Sequence, residues 1–146
     1  MKELAFELAE TSRIMRRVYD RRAAALGVTS AQWRVMLRLS REPGLKQVEL
    51  ADRLDVEPIT ACRIVDRMEE AGFVERLRDP DDRRVWRLKL TSKAEPVLSK
   101  LHAVGMEMAS EAFSGFAPEE IDAIRGKLAR IRENVGRIEA DQKVSA

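Results

Sequence analysis

PITACRIVDRMEEAGFVERLRDPDDRRVWRLKLT, residues 58–91, sets a helix pattern ahead of a hairpin pattern, and that order decides the fold. Pro58 suits the first turn of a helix, and Gly72 can take the left-handed conformation that closes one. Between them Ala61, Ile64, Val65 and Met68 recur at spacings of three and four, which builds one apolar stripe. Thr60, Arg63 and Arg67 share another face, polar and cationic. Such a face fits a DNA groove, and it also fits an ordinary solvated helix surface. The helix candidates for DNA contact are Pro58, Thr60, Cys62, Arg63 and Arg67.

After Gly72 the period changes to two. Trp86, Leu88 and Leu90 alternate with Val85, Arg87 and Lys89, giving a strand with one apolar face and one mostly basic face. Phe73 to Arg78 can pair with it, and Asp79-Pro80-Asp81-Asp82 suits a type I turn with proline at its second position. Arg83 and Arg84 then stand at the tip of a narrow ribbon, with Arg78 at its base. Arginines so placed can enter a minor groove and meet its negative potential, with Asp82 bracing them. The alternative is a charged surface hairpin.

Upstream, QVELADR (47–53) reads as a short helix with Val48, Leu50, Ala51 and Leu54 as core candidates, and Asp55-Val56-Glu57 connects it to Pro58. Two short helices joined in this way make a helix-turn-helix. Before them Thr29 and Gln32 have the spacing of a capping box, with Trp33, Leu37 and Met36 on the apolar side of a helix that stops before Pro43-Gly44.

From Thr29 to Thr91 the blocks TSAQWRVMLRL, EPG, ELADRL, ITACRIVDRMEEAGFVERLRDPDDRR and LKLT resemble the winged helix-turn-helix core of MarR-family transcriptional regulators. The resemblance implies a mainly α fold with a small β-hairpin, the core flanked by N- and C-terminal dimerisation helices. The corresponding segments are 1–28, 29–91 and 92–146, forming one integrated domain. It further implies a homodimer on a palindromic operator, the helix from Pro58 in the major groove, Arg83-Arg84 along the minor groove, and repression relieved by a small molecule or oxidant. Two positions depart from the family pattern: Ala94 where glycine is common, and Cys62 where serine or threonine is common. Sensing cysteines of the family lie near the first helix, where this chain has none, so an organic effector is expected instead. In the resembled family effectors often occupy a crevice between the dimer helices and the DNA-binding lobe. Here Arg16, Trp33, Met36 and His102 are the candidates, and an aromatic or small anionic ligand is the expected class.

The ends carry the seams that a dimer needs. Ile121, Ile124, Leu128, Ile131, Val135 and Ile138 alternate spacings of three and four over about two and a half heptads. Leu4, Leu8, Thr11, Met15 and Val18 form a weaker row, and a long helix from about Ser92 adds Val97, Leu101, Val104 and Met108. The alternative is that these stripes pack only within one chain. Ala117-Pro118-Glu119-Glu120 suits the start of the last helix, with acids at its positive end.

Composition bounds the remaining classes. The 146 residues are 45% hydrophobic and 36% charged, as in a globular domain. The net charge is only +2, so the placement of the cations carries the nucleic-acid reading, not their sum. A single cysteine rules out an internal disulfide framework, no apolar run approaches the roughly 20 residues of a membrane span, and MKELAFELAE lacks a signal-peptide pattern. A cytoplasmic protein is expected. His102 is the only histidine, and Glu69-Glu70 and Glu119-Glu120 read as exposed helix charges. Asp79, Asp81 and Asp82 lack the glycine and distal glutamate of a calcium loop. No enzyme, metal or cofactor is therefore expected. The remaining rival is a non-enzymatic helical dimer whose basic hairpin docks an acidic protein partner.

Overall fold

Thr29 closes a reciprocal cap: its hydroxyl accepts the Gln32 amide at 3.2 Å, while the Gln32 side chain accepts the Thr29 amide at 3.0 Å. This starts α2 (Ser30–Arg41), which ends before Pro43 as the sequence requires. Thr29→Ala is expected to cost about 1 kcal/mol of stability, read as a lower denaturant midpoint at unchanged slope. An unmoved midpoint would deny the cap any contribution.

The computed structural model describes residues 1–144, with side chains through Gln142; the expected 92–146 segment thus ends outside the described residues. The remaining elements are α1 (Lys2–Ala24), α3 (Gln47–Leu54), α4 (Pro58–Glu70), β1 (Val74–Arg78), β2 (Trp86–Leu90), α5 (Glu95–Ala112) and α6 (Pro118–Val144). Residues Ser92–Ala94 form a single 3-10 turn ahead of α5. Ala94, the departure from glycine, is fully buried in that turn. Two compact units result, Met1–Met108 and the stretch from Ala109 onward.

In the first unit the core is assembled by period. Val35 and Leu39 of α2, Leu50 and Leu54 of α3, and Val65 and Met68 of α4 are buried together with Val74, Leu88 and Leu101. Ile64 is half-buried against them. Val48 departs from its expected place and is 66% exposed. It lies roughly a third of a turn from the stripe made by Leu50, Ala51 and Leu54, too far round α3 to share their contact.

Gly72, at φ +79°, turns the chain out of α4, and Phe73 N–H bonds Met68 O at 2.9 Å to close the helix. β1 and β2 then pair antiparallel, Val74 opposite Leu90 and Arg78 opposite Trp86. The segment ahead of α3 joins this ribbon through Leu88 N–H to Leu45 O (2.9 Å) and Gly44 N–H to Leu88 O (3.1 Å). The hairpin is thereby tied to the helix-turn-helix at its base.

α1 is anchored by contacts that periodicity does not reveal. The buried Tyr19 donates its hydroxyl to Leu101 O on α5 at 2.6 Å, and its ring lies 4.5 Å from that of Trp33. Burial pushes the Tyr19 phenol above its usual pKa. In the second unit Phe113 and Phe116 meet edge to face, and Glu120 accepts the Ala117 amide at 2.8 Å where α6 begins.

Candidate nucleic-acid interface

α3 begins with the Lys46 amide bonded to Glu49 Oε2 at 2.8 Å and ends at Asp55, which takes a left-handed conformation at φ 54°. Aspartate tolerates that conformation better than most residues. The chain thus reverses in three residues and presents Pro58 as the first residue of α4. Burial of Ala61, Val65 and Met68 turns Thr60, Arg63 and Arg67 outward, all exposed. Pro58 is exposed beside them, and Ile59 is 60% exposed. Cys62 is half-buried, its Sγ turned toward Asp66 at 3.9 Å and Arg76 at 4.0 Å.

The wing is braced by two aspartates. Asp82 accepts both the Arg84 amide (3.0 Å) and its Nε (3.2 Å), the contact assigned to it from sequence. Arg84 remains outside with its side chain 90% exposed, and Arg83 is exposed next to it. Bonding from Arg84 holds the Asp82 carboxyl below its usual pKa. The stronger brace is Asp79, read from sequence only as a turn residue. It is 5% exposed. Its Oδ1 accepts the amides of Asp81 (2.8 Å) and Asp82 (3.0 Å), and its Oδ2 accepts Arg87 Nε at 2.6 Å. The Asp81 amide, then Arg87 and the Asp82 amide, hold its carboxyl below the usual range against the opposing effect of burial.

Arg87 is consequently withdrawn from the basic face expected of β2, and it also donates to Gly44 O at 3.1 Å. Arg78 is likewise engaged at the wing base. It lies 3.7 Å above the Trp86 ring and donates to the Arg83 carbonyl. Arg83 and Arg84 remain exposed at the tip, Arg84 held there by its pairing to Asp82, and Lys89 is exposed on β2.

Arg76, absent from the sequence candidates, ties the wing to both helices. It bonds Asp66 and Glu69 of α4 at 2.5 Å each and Gln47 of α3 at 3.1 Å. Burial pulls its guanidinium down, but the two carboxylates together hold it above its usual pKa. Arg76 shares the inward face of β1 with the buried Val74 and lies opposite the buried Leu88, a placement that the irregular run from Phe73 to Arg78 does not disclose in sequence.

A second concavity, about 350 Å³, is lined by Arg16, Trp33, Arg34, Leu37, Arg38, Arg41, Arg53 and Leu54. Of the four effector candidates it brings together Arg16 and Trp33. Met36 is 1% exposed within the core, and His102 is exposed on α5 outside the lining. Met36 is sealed because its α2 position faces inward with Val35 and Leu39. Trp33 Nε1 donates to Asp20 at 2.7 Å, Arg34 donates to Leu54 O at 2.5 Å, and Glu42 pairs with Arg38 (3.1 Å) and Arg53 (3.3 Å). Burial, then the charge of Arg16, lowers the Arg34 pKa. Arg16 and Arg41 make no ion pair among the described residues, so the pocket suits an anion. Also among the described residues, no group of His, Cys, Asp and Glu could hold a metal ion, and no helix is long and apolar enough to cross a membrane.

A family model described as MarR family matches residues 28–86. The transcriptional regulator PA3341 is 33% identical over 92% of this chain and 98% of its own, with a TM-score of 0.84. A solved MarR structure is 31% identical over 97% of this chain and 94% of its own, with a TM-score of 0.76. A mutant MarR from E. coli, solved in complex with operator DNA, is 25% identical over 88% of this chain and 93% of its own, with a TM-score of 0.74.

Proposed function

The chain belongs to the MarR family of transcriptional regulators, and from that premise we propose that it is a homodimeric repressor of palindromic operators, released by a small anionic organic ligand. The carrying observation is the pairing of an α4 face that exposes Thr60, Arg63 and Arg67 with a wing braced so that Arg83 and Arg84 project. α4 lies in the major groove and reads base edges through its arginines, with Pro58 and Thr60 at the groove end. The wing follows the minor groove. Arg78 sets the wing base, and Cys62 supports α4 from its inner side.

A second copy covers the apolar rows at the two ends of the chain. Leu4 and Leu8 on α1 are 58% and 40% exposed, and Ile131, Val135 and Ile138 on α6 are 37%, 55% and 57% exposed. Ile121, Ile124 and Leu128 continue the α6 row, half-buried. The dimer places two reading helices about 34 Å apart, on one face of the duplex. The arginine-lined pocket with Arg16 and Trp33 takes the effector, whose carboxylate meets guanidinium forks while its ring lies against the indole. The protein performs no catalysis, and it acts where the DNA is, in the cytoplasm.

Selection of genomic fragments at rising salt tests the reading, because a sequence reader keeps preferred fragments after phosphate attraction is screened. With such a fragment in hand, Arg63→Ala and Arg67→Ala are each expected to cost about 1–3 kcal/mol where a bidentate base contact is lost. Arg84→Ala is expected to lower the salt slope by about one per half-site while the dimer persists. Unchanged affinity and salt slope for all three would place the interface elsewhere. Benzoate added to the same titration is expected to weaken binding, and Cys62→Ser to leave that response intact.

A further inference from the structure

Arg76 is the one wing arginine turned wholly inward. Its side chain is 13% exposed, and its three donor positions meet Asp66, Glu69 and Gln47. A guanidinium so engaged has little left to offer a phosphate. Its position becomes informative when the charge of α4 is considered. That helix carries Arg63 and Arg67 against Asp66, Glu69 and Glu70, so the element meant for a polyanion bears more carboxylates than cations. Asp66 and Glu69 are also 51% and 44% exposed, open enough for their charge to reach bound DNA. Uncompensated carboxylates near a phosphate backbone oppose association.

We propose that Arg76 is a charge-masking positioning residue for DNA reading. From β1 it sets one positive charge between Asp66 and Glu69, so that the α4 surface carries three cations against three carboxylates instead of two against three, and Arg63 and Arg67 face the DNA without a net negative charge behind them. The proposal rests on the assignment of α4 to the major groove. It accounts for a half-buried arginine on a strand whose neighbours at the wing tip are solvent-facing. It also assigns to Gln47 a holding role: its Oε1 accepts Arg76 Nε and keeps the guanidinium fork aimed at the two carboxylates.

The test uses full-length protein and a genomic fragment retained by it at moderate salt. Arg76→Gln is expected to weaken binding by about tenfold or more at low salt, the loss shrinking as salt screens the exposed carboxylates. Adding Asp66→Asn and Glu69→Gln to that variant is expected to restore most of the affinity. A purely structural clamp would not be rescued by removing its remaining partners. Circular dichroism and sedimentation check fold and dimer in each variant. A folded triple variant as weak as Arg76→Gln overturns the proposal, as does wild-type affinity in Arg76→Gln. Should Arg76→Gln fail to fold, Asp66→Asn/Glu69→Gln in the presence of Arg76 decides. Binding as tight as wild type or tighter, with a steeper salt slope, supports masking, and weaker binding overturns it. If the wild-type protein retains no fragment at any salt, the groove assignment fails along with the mask; failure of the mask alone leaves wild-type binding intact.

Discussion

Removal of residues 117–146 is expected to convert the protein to monomers or aggregates and to weaken operator binding by about 10²–10⁴-fold, the range over which linked sites exceed separate ones. The truncation takes away α6, whose exposed Ile131, Val135 and Ile138 are the longest uncovered apolar row on the chain's second unit. Each such side chain stabilises an association by about 1.5–3 kcal/mol when fully buried. A second copy would bury the set twice, from both chains. With the tie lost, each reading helix must find its half-site independently, and the second binding event no longer benefits from millimolar effective concentration. Sedimentation equilibrium and operator titration measure the two halves of this expectation. A full-length chain that sediments as a monomer while binding a palindrome at undiminished affinity would sink the dimer reading.

The elements that sequence makes legible are those whose signals are local. The Thr29–Gln32 cap, the Pro58 start, the Gly72 stop and the period-two run of β2 each depend on a few neighbouring residues, and each lies where it was expected. Side-chain partners across the fold are a different matter. Tyr19 and Leu101 are 82 residues apart, and no spacing within α1 announces that its tyrosine will bond a carbonyl of α5. Met36 could be read as either core or pocket because both places favour a large apolar side chain; only the packing of α2 separates them. The interface divides in the same way. Arg63, Arg67, Arg83 and Arg84 follow from period and turn position and stay exposed, whereas Arg76 and Arg87 are drawn in by carboxylates that lie across the fold. Sequence supplied the cations; the fold decides which are free. Asp79 is the instructive intermediate. An aspartate ahead of proline in a tight turn commonly bonds the amides that follow, so its bracing of Asp81 and Asp82 was readable, while its ion pair to Arg87 across the ribbon was not.

That brace carries the second large expectation. Asp79→Ala should collapse the wing turn and lower operator affinity on the order of tens of fold, while the dimer and the helical core persist, because wing contacts and base contacts are separable. Alanine leaves the amides of Asp81 and Asp82 and the Arg87 guanidinium without their acceptor at a nearly inaccessible position. The turn is otherwise closed by Val85 N–H to Asp82 O and Asp79 N–H to Val85 O, both at 3.0 Å, so faster hydrogen exchange at Val85 reports the collapse directly. Asp79→Asn separates the two roles of the carboxylate. It keeps a carbonyl for the amides but loses the charge opposite Arg87, and it should bind DNA more tightly than the alanine variant and less tightly than wild type. The pH dependence has a definite sign. The carboxyl is held below its ordinary pKa, chiefly by the Asp81 amide and Arg87. Its contribution is therefore fully present above the unfolded value of about 3.9 and is lost as pH falls through the lower folded value. The stability difference between wild type and Asp79→Asn should stay constant from neutrality down to about pH 5 and narrow only in stronger acid. Wild-type operator affinity in Asp79→Ala, with Val85 exchange unchanged, would mean that the wing holds its shape without this carboxylate and that Asp82 alone suffices to aim Arg84.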